Sequence, residues 1–225
     1  MAFIEGSVNG SAWQRYTGPF SVSAQGTIVV RARAADRAGN VENPSASSTF
    51  MIDSVAPALA VTSPLSANYP HSDTLQLAFA GTDSASGLAN PPAAVIDGVA
   101  VTNRQTIPLL TLSLGTHIVT VSASDRAGNT SSTGVGFTVV ATIDSLIGAV
   151  NTFVSQRQMD GSLGHSLLSK LEDAKQALSR GSLTAVRGKL EDFKSQVSAK
   201  SGQGASPSLA QLLIADADYV IGTLK

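Results

Sequence analysis

The 225-residue chain predicts a multidomain protein, all-β sandwich modules followed by an all-α four-helix bundle, and three observations carry that prediction. A fifteen-residue segment, Gly26 to Asn40, recurs in the same register as Gly115 to Asn129, and repetition at domain-sized spacing marks an array of modules. Apolar residues alternate with period two before residue 141 and follow a helical period after it. All six lysines lie at or beyond Lys170, whereas the earlier part uses arginine for positive charge and is rich in Ser, Thr, Val, Ala and Gly.

Each copy of the repeat places Val30, Ala32 and Ala34, or Val119, Val121 and Ala123, on one strand face ahead of an Asp-Arg-Ala-Gly-Asn turn. Further strands are predicted at Leu59 to Val61, Leu75 to Phe79, Val95 to Val101 folded about Asp97-Gly98, Ile107 to Leu112, and Val135 to Val140. About seven strands within about 85 residues is the count of an Ig-like sandwich. The offset of 89 residues between Asp36 and Asp125 puts the counterpart of Pro57 about 32 residues ahead of Met1. The first module is therefore expected to lack its opening strands and to keep an open edge. That edge is expected to be met by another chain or by the second module; the alternative is a boundary cut through a domain.

After residue 141 four apolar stripes predict four helices: Ile143, Leu146, Ile147, Val150, Phe153 and Val154; Leu167, Leu171, Ala174 and Leu178; Leu183, Val186, Leu190, Phe193 and Val197; Leu209, Leu213, Ala217, Val220 and Leu224. Asp160-Gly-Ser162, Arg180-Gly-Ser182 and Ser201 to Gly204 break them, with Ser182 and Ser206-Pro207 placed as helix starts. Short connections make neighbours antiparallel. The predicted boundaries are 1–53 for a partial Ig-like module, 54–140 for a complete one and 141–225 for the helical bundle.

The repeated turns, the Gly-Thr strand starts and the Asp53-Ser-Val-Ala-Pro57 junction resemble the tandem Ig-like modules of secreted bacterial proteins. The first copy, with Trp13, Tyr16 and Pro19 and with Ala38 to Glu42, is similar to the module named after a leptospiral outer-membrane protein. Lys170-Leu-Glu-Asp-Ala-Lys175 and Lys189-Leu-Glu-Asp-Phe-Lys194, with the apolar spacing around them, make residues 143–224 resemble the FIMAH-type module found at the C-termini of secreted bacterial enzymes and surface proteins. The resemblance implies a secreted or cell-surface bacterial location and an array of spacer, adhesive or accessory domains. It names no ligand.

Composition narrows the chemistry. Fifteen basic against sixteen acidic residues provide no global field for nucleic acid. No run approaches the roughly 18 apolar residues of a membrane span, and no basic-then-apolar leader opens the chain, which is expected to be a piece of something larger. The lack of cysteine removes disulfides, zinc thiolates and a thiol nucleophile. No Gly-x-Ser-x-Gly elbow, phosphate loop or His-Glu-x-x-His is present, and the three histidines, His71, His117 and His165, read as surface or loop residues. Lys-Asn isopeptide cross-links are excluded because neither β module contains lysine.

Two sites remain as candidates. The Asp-Arg-Ala-Gly-Asn turns have a structural reading, the carboxylate accepting turn N–H groups while Gly and Asn take positive φ. They also have a metal reading, in which Asp83, Asp125 and Asn129, brought together at one end of the second sandwich with Ser84 or loop carbonyls, offer oxygen ligands to calcium. Trp13, Tyr16 and Phe20 are the carbohydrate-binding candidates, flat rings suiting pyranose faces, against a reading in which they pack the core of a small sandwich. Asp216 and Asp218 are expected on a solvated helix face, and the Lys-Leu-Glu-Asp faces to use charge for solubility and i,i+4 support rather than to dock a partner.

The expectation is a non-catalytic accessory or spacer tail of a secreted multidomain protein, whose partners are the neighbouring domains of that protein and a head domain that it presents. The alternatives are a carbohydrate-binding accessory region of a polysaccharide-degrading enzyme and an adhesion module, self-association through the open edge included.

Overall fold

The structure, a computed structural model, describes residues 2–43 and 45–225. All-β sandwich-type sheets are followed by four helices, the predicted fold class. The chain forms two compact units: residues 1–60, 80–92 and 122–132 in one, and 61–79, 93–121 and 133–225 in the other. The ends of several strands of the second repeat therefore belong with the first repeat, and the remainder of that repeat belongs with the helices.

The first repeat is one sheet of four strands, β1 (Phe3–Val8), β2 (Gln14–Arg15), β3 (Gly26–Ala35) and β4 (Ala46–Ile52), in the order β2-β1-β3-β4. The alternation read in the repeat becomes β3, antiparallel to β1 with Val8 opposite Val30 and to β4 with Ile28 opposite Phe50. Among the described residues nothing pairs with the outer edge of β4.

The second repeat contains β5 (Ala58–Ser63), β6 (Asn68–Pro70), β7 (Thr74–Gln76), β8 (Ala78–Thr82), β9 (Ala93–Ile96), β10 (Val99–Val101), β11 (Thr106–Pro108), β12 (Gly115–Ser124) and β13 (Thr130–Val140). Its five-stranded sheet runs β10-β9-β12-β13-β6, with the pairs β11-β7 and β5-β8 beside it. The β9–β10 hairpin turns at Asp97 and Gly98, both with positive φ, as the Asp-Gly pair demands. Leu75, Leu77, Phe79, Ile107, Val119, Val121, Phe137 and Val139 are buried.

Two predicted strands are interrupted. Leu75 to Phe79 breaks at Leu77, whose backbone turns to Gln105 and Arg104, so that β7 pairs with β11 and β8 with β5. Ile107 to Leu112 gives up its ladder at Pro108, and Leu109–Thr111 forms a 3₁₀ turn. That turn buries Leu109 completely and packs Leu110 against the helical core.

The helices are α1 (Ile143–Ser155), α2 (Gly161–Ser179), α3 (Leu183–Ala199) and α4 (Pro207–Thr223). Leu146, Val150, Leu167, Leu171, Val186, Leu190, Phe193, Val197 and Leu213 form one apolar core. Leu178, read into the second stripe, is exposed, because the last turn of α2 runs past the core. Ser206 caps α4 as predicted, its hydroxyl accepting from the Leu209 N–H at 3.3 Å ahead of Pro207. Ser182 precedes α3 without a side-chain capping bond, since its backbone lies outside the extended conformation a cap needs. Asp160 caps α2 through the N–H groups of Ser162 and Leu163, and Thr142 with Ser145 forms a reciprocal capping box on α1.

Candidate functional site

The acidic cluster arises where three turns meet within the first unit. Asp125 follows β12, and its Oδ1 accepts the Asn129 N–H at 2.8 Å while Asn129 Nδ2 donates to Oδ2 at 2.7 Å. The first repeat builds the same turn: Asp36 Oδ1 accepts from the N–H groups of Ala38 and Asn40, and Asn40 Nδ2 donates to Oδ2 at 2.7 Å. These bonds, led by the Asn40 amide, hold the Asp36 carboxyl below its ordinary range. The turn is thus closed by its own donors in both copies, with positive φ at Gly39 and Gly128 but not at Asn40 or Asn129, where the sequence reading expects it too.

The second copy adds two carboxylates. Asp83 makes an Asx-type turn, its Oδ1 accepting from Gly87 at 2.7 Å and Ala85 at 3.2 Å. Asp53 accepts the Val55 N–H on Oδ1 and the Ser86 N–H on Oδ2. Oxygens of Asp53, Asp83 and Asp125 lie within 4.8 Å of one another, with Asp125 buried and the other two half-buried. Ser86 and the Val55 N–H hold the Asp53 carboxyl below its ordinary range despite desolvation. Three carboxylates at that spacing repel one another unless protons or a cation intervene, and hard oxygen donors suit calcium. Sequence reasoning placed Asp83 and Asp125 together. It missed Asp53, which it had read as part of a junction. Asn129, read as a ligand, turns its amide donor toward Asp125 and toward the Asp53 carbonyl at 3.2 Å, so it orients the cluster.

The aromatic candidates separate. Tyr16 and Phe20, about half exposed, line one cleft of the first repeat together with Gln14 and Arg15. Trp13 lies outside that lining, half-buried, with the Arg33 guanidinium 4.2 Å above its ring and Arg33 itself paired to Glu5 at 2.7 Å. One Trp13 face is therefore covered by a cation, and the three rings do not form a single platform.

Two of the histidines, read as surface or loop residues, are buried, His71 in the β6–β7 turn and His117 on β12. His71 Nδ1 lies 2.7 Å from Asp216 Oδ1 and its Nε2 3.1 Å from the Leu112 carbonyl. His117 repeats the pattern, with Nδ1 2.5 Å from Asp97 Oδ2 and Nε2 2.8 Å from the Ser113 carbonyl. Each ring faces two acceptors, so neither nitrogen of either ring is left as a free base. His165 is exposed on α2 and faces the Gly161 carbonyl. Asp216, expected on a solvated face, is fully buried, whereas Asp218 is exposed and pairs with Lys194 at 2.6 Å. Two positions along a helix turn the carboxylates about 200° apart, which sends one inward and one outward.

The charged faces of the helices also differ from an i,i+4 pattern. Lys175 meets Asp144 across α2 and α1, Lys189 meets Asp173 across α3 and α2, and Lys194 meets Asp218 across α3 and α4. Lys194 with Glu191 is the intrahelical pair, at i,i+3. No helix among the described residues is long and apolar enough to cross a membrane.

Comparison with known proteins gives residues 143–222 a match to the FIMAH domain. No curated protein matches the chain. Among solved structures it is similar to the CbhA fibronectin(III)-like modules of Clostridium thermocellum, at 17% identity and a TM-score of 0.32, covering 61% of this chain and 77% of that one. The β-sheet region is thus followed by four helices that match the FIMAH domain.

Proposed function

We propose that this chain is the non-catalytic accessory and spacer tail of a secreted bacterial multidomain protein, in which Ig-like modules, the first of the leptospiral type, and a FIMAH end present a head domain. The observation that carries the reading is the buried tie within the second unit, where His71 of the β6–β7 turn meets Asp216 of α4. Around it Leu110 and Leu114 pack on the helical core, and α1 comes so close that a Cβ on Gly148 would lie 2.7 Å from Ser72 Oγ. A spacer must hold its parts at fixed distance, and this contact fixes the helices against the part of the second repeat that shares their unit. Both buried imidazoles face acceptors on both ring nitrogens and are spent on structure.

The test is depletion of the 225-residue chain from solution by a panel of soluble and insoluble polysaccharides. The expected result is no retention, with Trp13→Ala and Tyr16→Ala indistinguishable from the parent. Retention that Tyr16→Ala abolishes in a cooperatively melting protein would replace the spacer with a carbohydrate-binding region centred on the Tyr16–Phe20 cleft.

A second reading is favoured by one specific observation, the arrival of Asp53 beside Asp83 and Asp125. It assigns calcium to this cluster. Calcium at about 100 times its dissociation constant is expected to stabilise the first unit by about 2.7 kcal/mol, and Asp83→Asn to remove most of that gain. Melting curves in calcium and in excess chelator decide it; coincident curves would leave the cluster with turn formation alone.

A further inference from the structure

We propose that the outer edge of β4, at Thr49 to Met51, receives the opening half of an Ig-like module, a segment with the pattern of residues 57–82, as a strand parallel to β4. The argument comes from laying one repeat over the other and does not depend on the spacer reading. Shifted by 89 residues, β3 falls on β12, and the order β2-β1-β3-β4 reproduces β10-β9-β12-β13. The second repeat continues past β13 to β6, which runs parallel with Thr138 opposite Asn68, Val139 opposite Tyr69 and Val140 opposite Pro70. The same shift lands those three positions on Thr49, Phe50 and Met51, beyond which the described residues place no strand.

Exposure follows the missing cover. Val119, Val121 and Val139 are each at 0% exposure in the second repeat, whereas their counterparts Val30 and Ala32 are half-buried and Phe50 stands 42% exposed. In the second repeat residues 57–82 carry buried Leu75, Leu77 and Phe79 as well as the strand beside β13. β4, Ala46 to Ile52, carries no charge and no proline, so it lacks the devices that blunt a free edge. Main-chain pairing with alternate side chains in contact is the ordinary way such an edge is filled.

A second copy pairing edge to edge would occupy the amides of β4 and leave Val30, Ala32 and Phe50 uncovered. The opening half of a module supplies both a strand and an apolar face. The occupant to which the proposal commits is therefore a segment of that pattern, a strand beside β4 followed by an apolar face like that of Leu75, Leu77 and Phe79.

The probe is a synthetic peptide of residues 57–82 added to the 225-residue chain, read by hydrogen exchange at residues 46–52 and by sedimentation. At about 1 mM peptide, enough to populate a millimolar complex, the β4 amides are expected to slow by about tenfold with one peptide per chain. Phe50→Lys should abolish the protection, as should Met51→Lys, both at exposed positions that leave the helical bundle melting unchanged. Peptide exchanging into the second repeat would leave 46–52 unprotected, and that result, like any absence of protection there, overturns the proposal. A concentration-dependent dimer that Phe50→Lys dissolves would overturn it in favour of a second copy.

Discussion

His71→Ala is expected to lower the unfolding free energy of the second unit by about 3–5 kcal/mol, the cost of stripping one partner from a buried ion pair. The carboxylate it leaves behind has nowhere else to go. Asp216 is fully buried, its Oδ1 accepts from His71 Nδ1, and its Oδ2 has no hydrogen-bond partner among the described residues. The double variant His71→Leu with Asp216→Leu is expected to recover most of the loss, because removing both charged groups removes the desolvation penalty with them. Denaturant melts of His71→Leu, Asp216→Leu and their double variant form a double-mutant cycle. A single His71→Ala cost below about 1 kcal/mol would show that the pair is solvated in solution.

The same geometry fixes a pH dependence. Between the Asp216 carboxylate and the Leu112 carbonyl, the ring can satisfy both neighbours when both its nitrogens carry protons. Burial pulls the His71 pKa down, but the hydrogen bond and charge of Asp216 and the Leu112 carbonyl outweigh it, and the net shift is upward from 6.5. A raised folded-state pKa means that the stabilising contribution is complete below pH 6.5 and is lost as pH rises through the folded value. Asp97 shifts the other way: its desolvation is outweighed by His117 and by the Ile118 N–H, so its contribution is present above 3.8 and lost as pH falls. Mildly acid solution, between those two ranges, keeps both contributions.

Little of this was legible in the sequence, and the reason is separation along the chain. The strands β3 and β12 and the four helices announce themselves because alternation and the 3.6-residue period are local properties. His71 and Asp216 are 145 residues apart, and no spacing rule joins a turn of a β module to the fourth helix of a bundle. The break at Leu77 was hidden by the unbroken alternation of Leu75, Leu77 and Phe79, since a strand that changes sheets keeps its period. Asp83 and Asp125 could be paired because sandwich topology brings their loops to one end. Asp53 stood in plain view before Pro57, but a linker reading assigns its carboxylate to the turn and asks for no neighbour. The Thr142–Ser145 box escaped because serine at the third helical position replaces the usual Glu or Gln.

Phe193→Ala is expected to cost about 3–5 kcal/mol, and the contrast with the charged motif around it shows what holds the helices together. Phe193 is at 0% exposure on α3, in one core with Leu167, Leu171, Leu190 and Leu213. Its removal takes away buried area and leaves a cavity that four helices, tied end to end by short loops, can collapse only in part. The interhelical bridge Lys189–Asp173, with side chains 42% and 50% exposed, is solvated and salt-screened, so Lys189→Ala is expected to change stability by less than about 1 kcal/mol. The Lys-Leu-Glu-Asp segments that make this region recognisable would then owe their stabilising effect to Leu171 and Leu190, both at 0% exposure, rather than to their charges. Thermal melts of Phe193→Ala and Lys189→Ala at low and high salt separate the two contributions. A larger loss for Lys189→Ala, erased by salt, would make the ion pairs the principal tie and reverse this ordering.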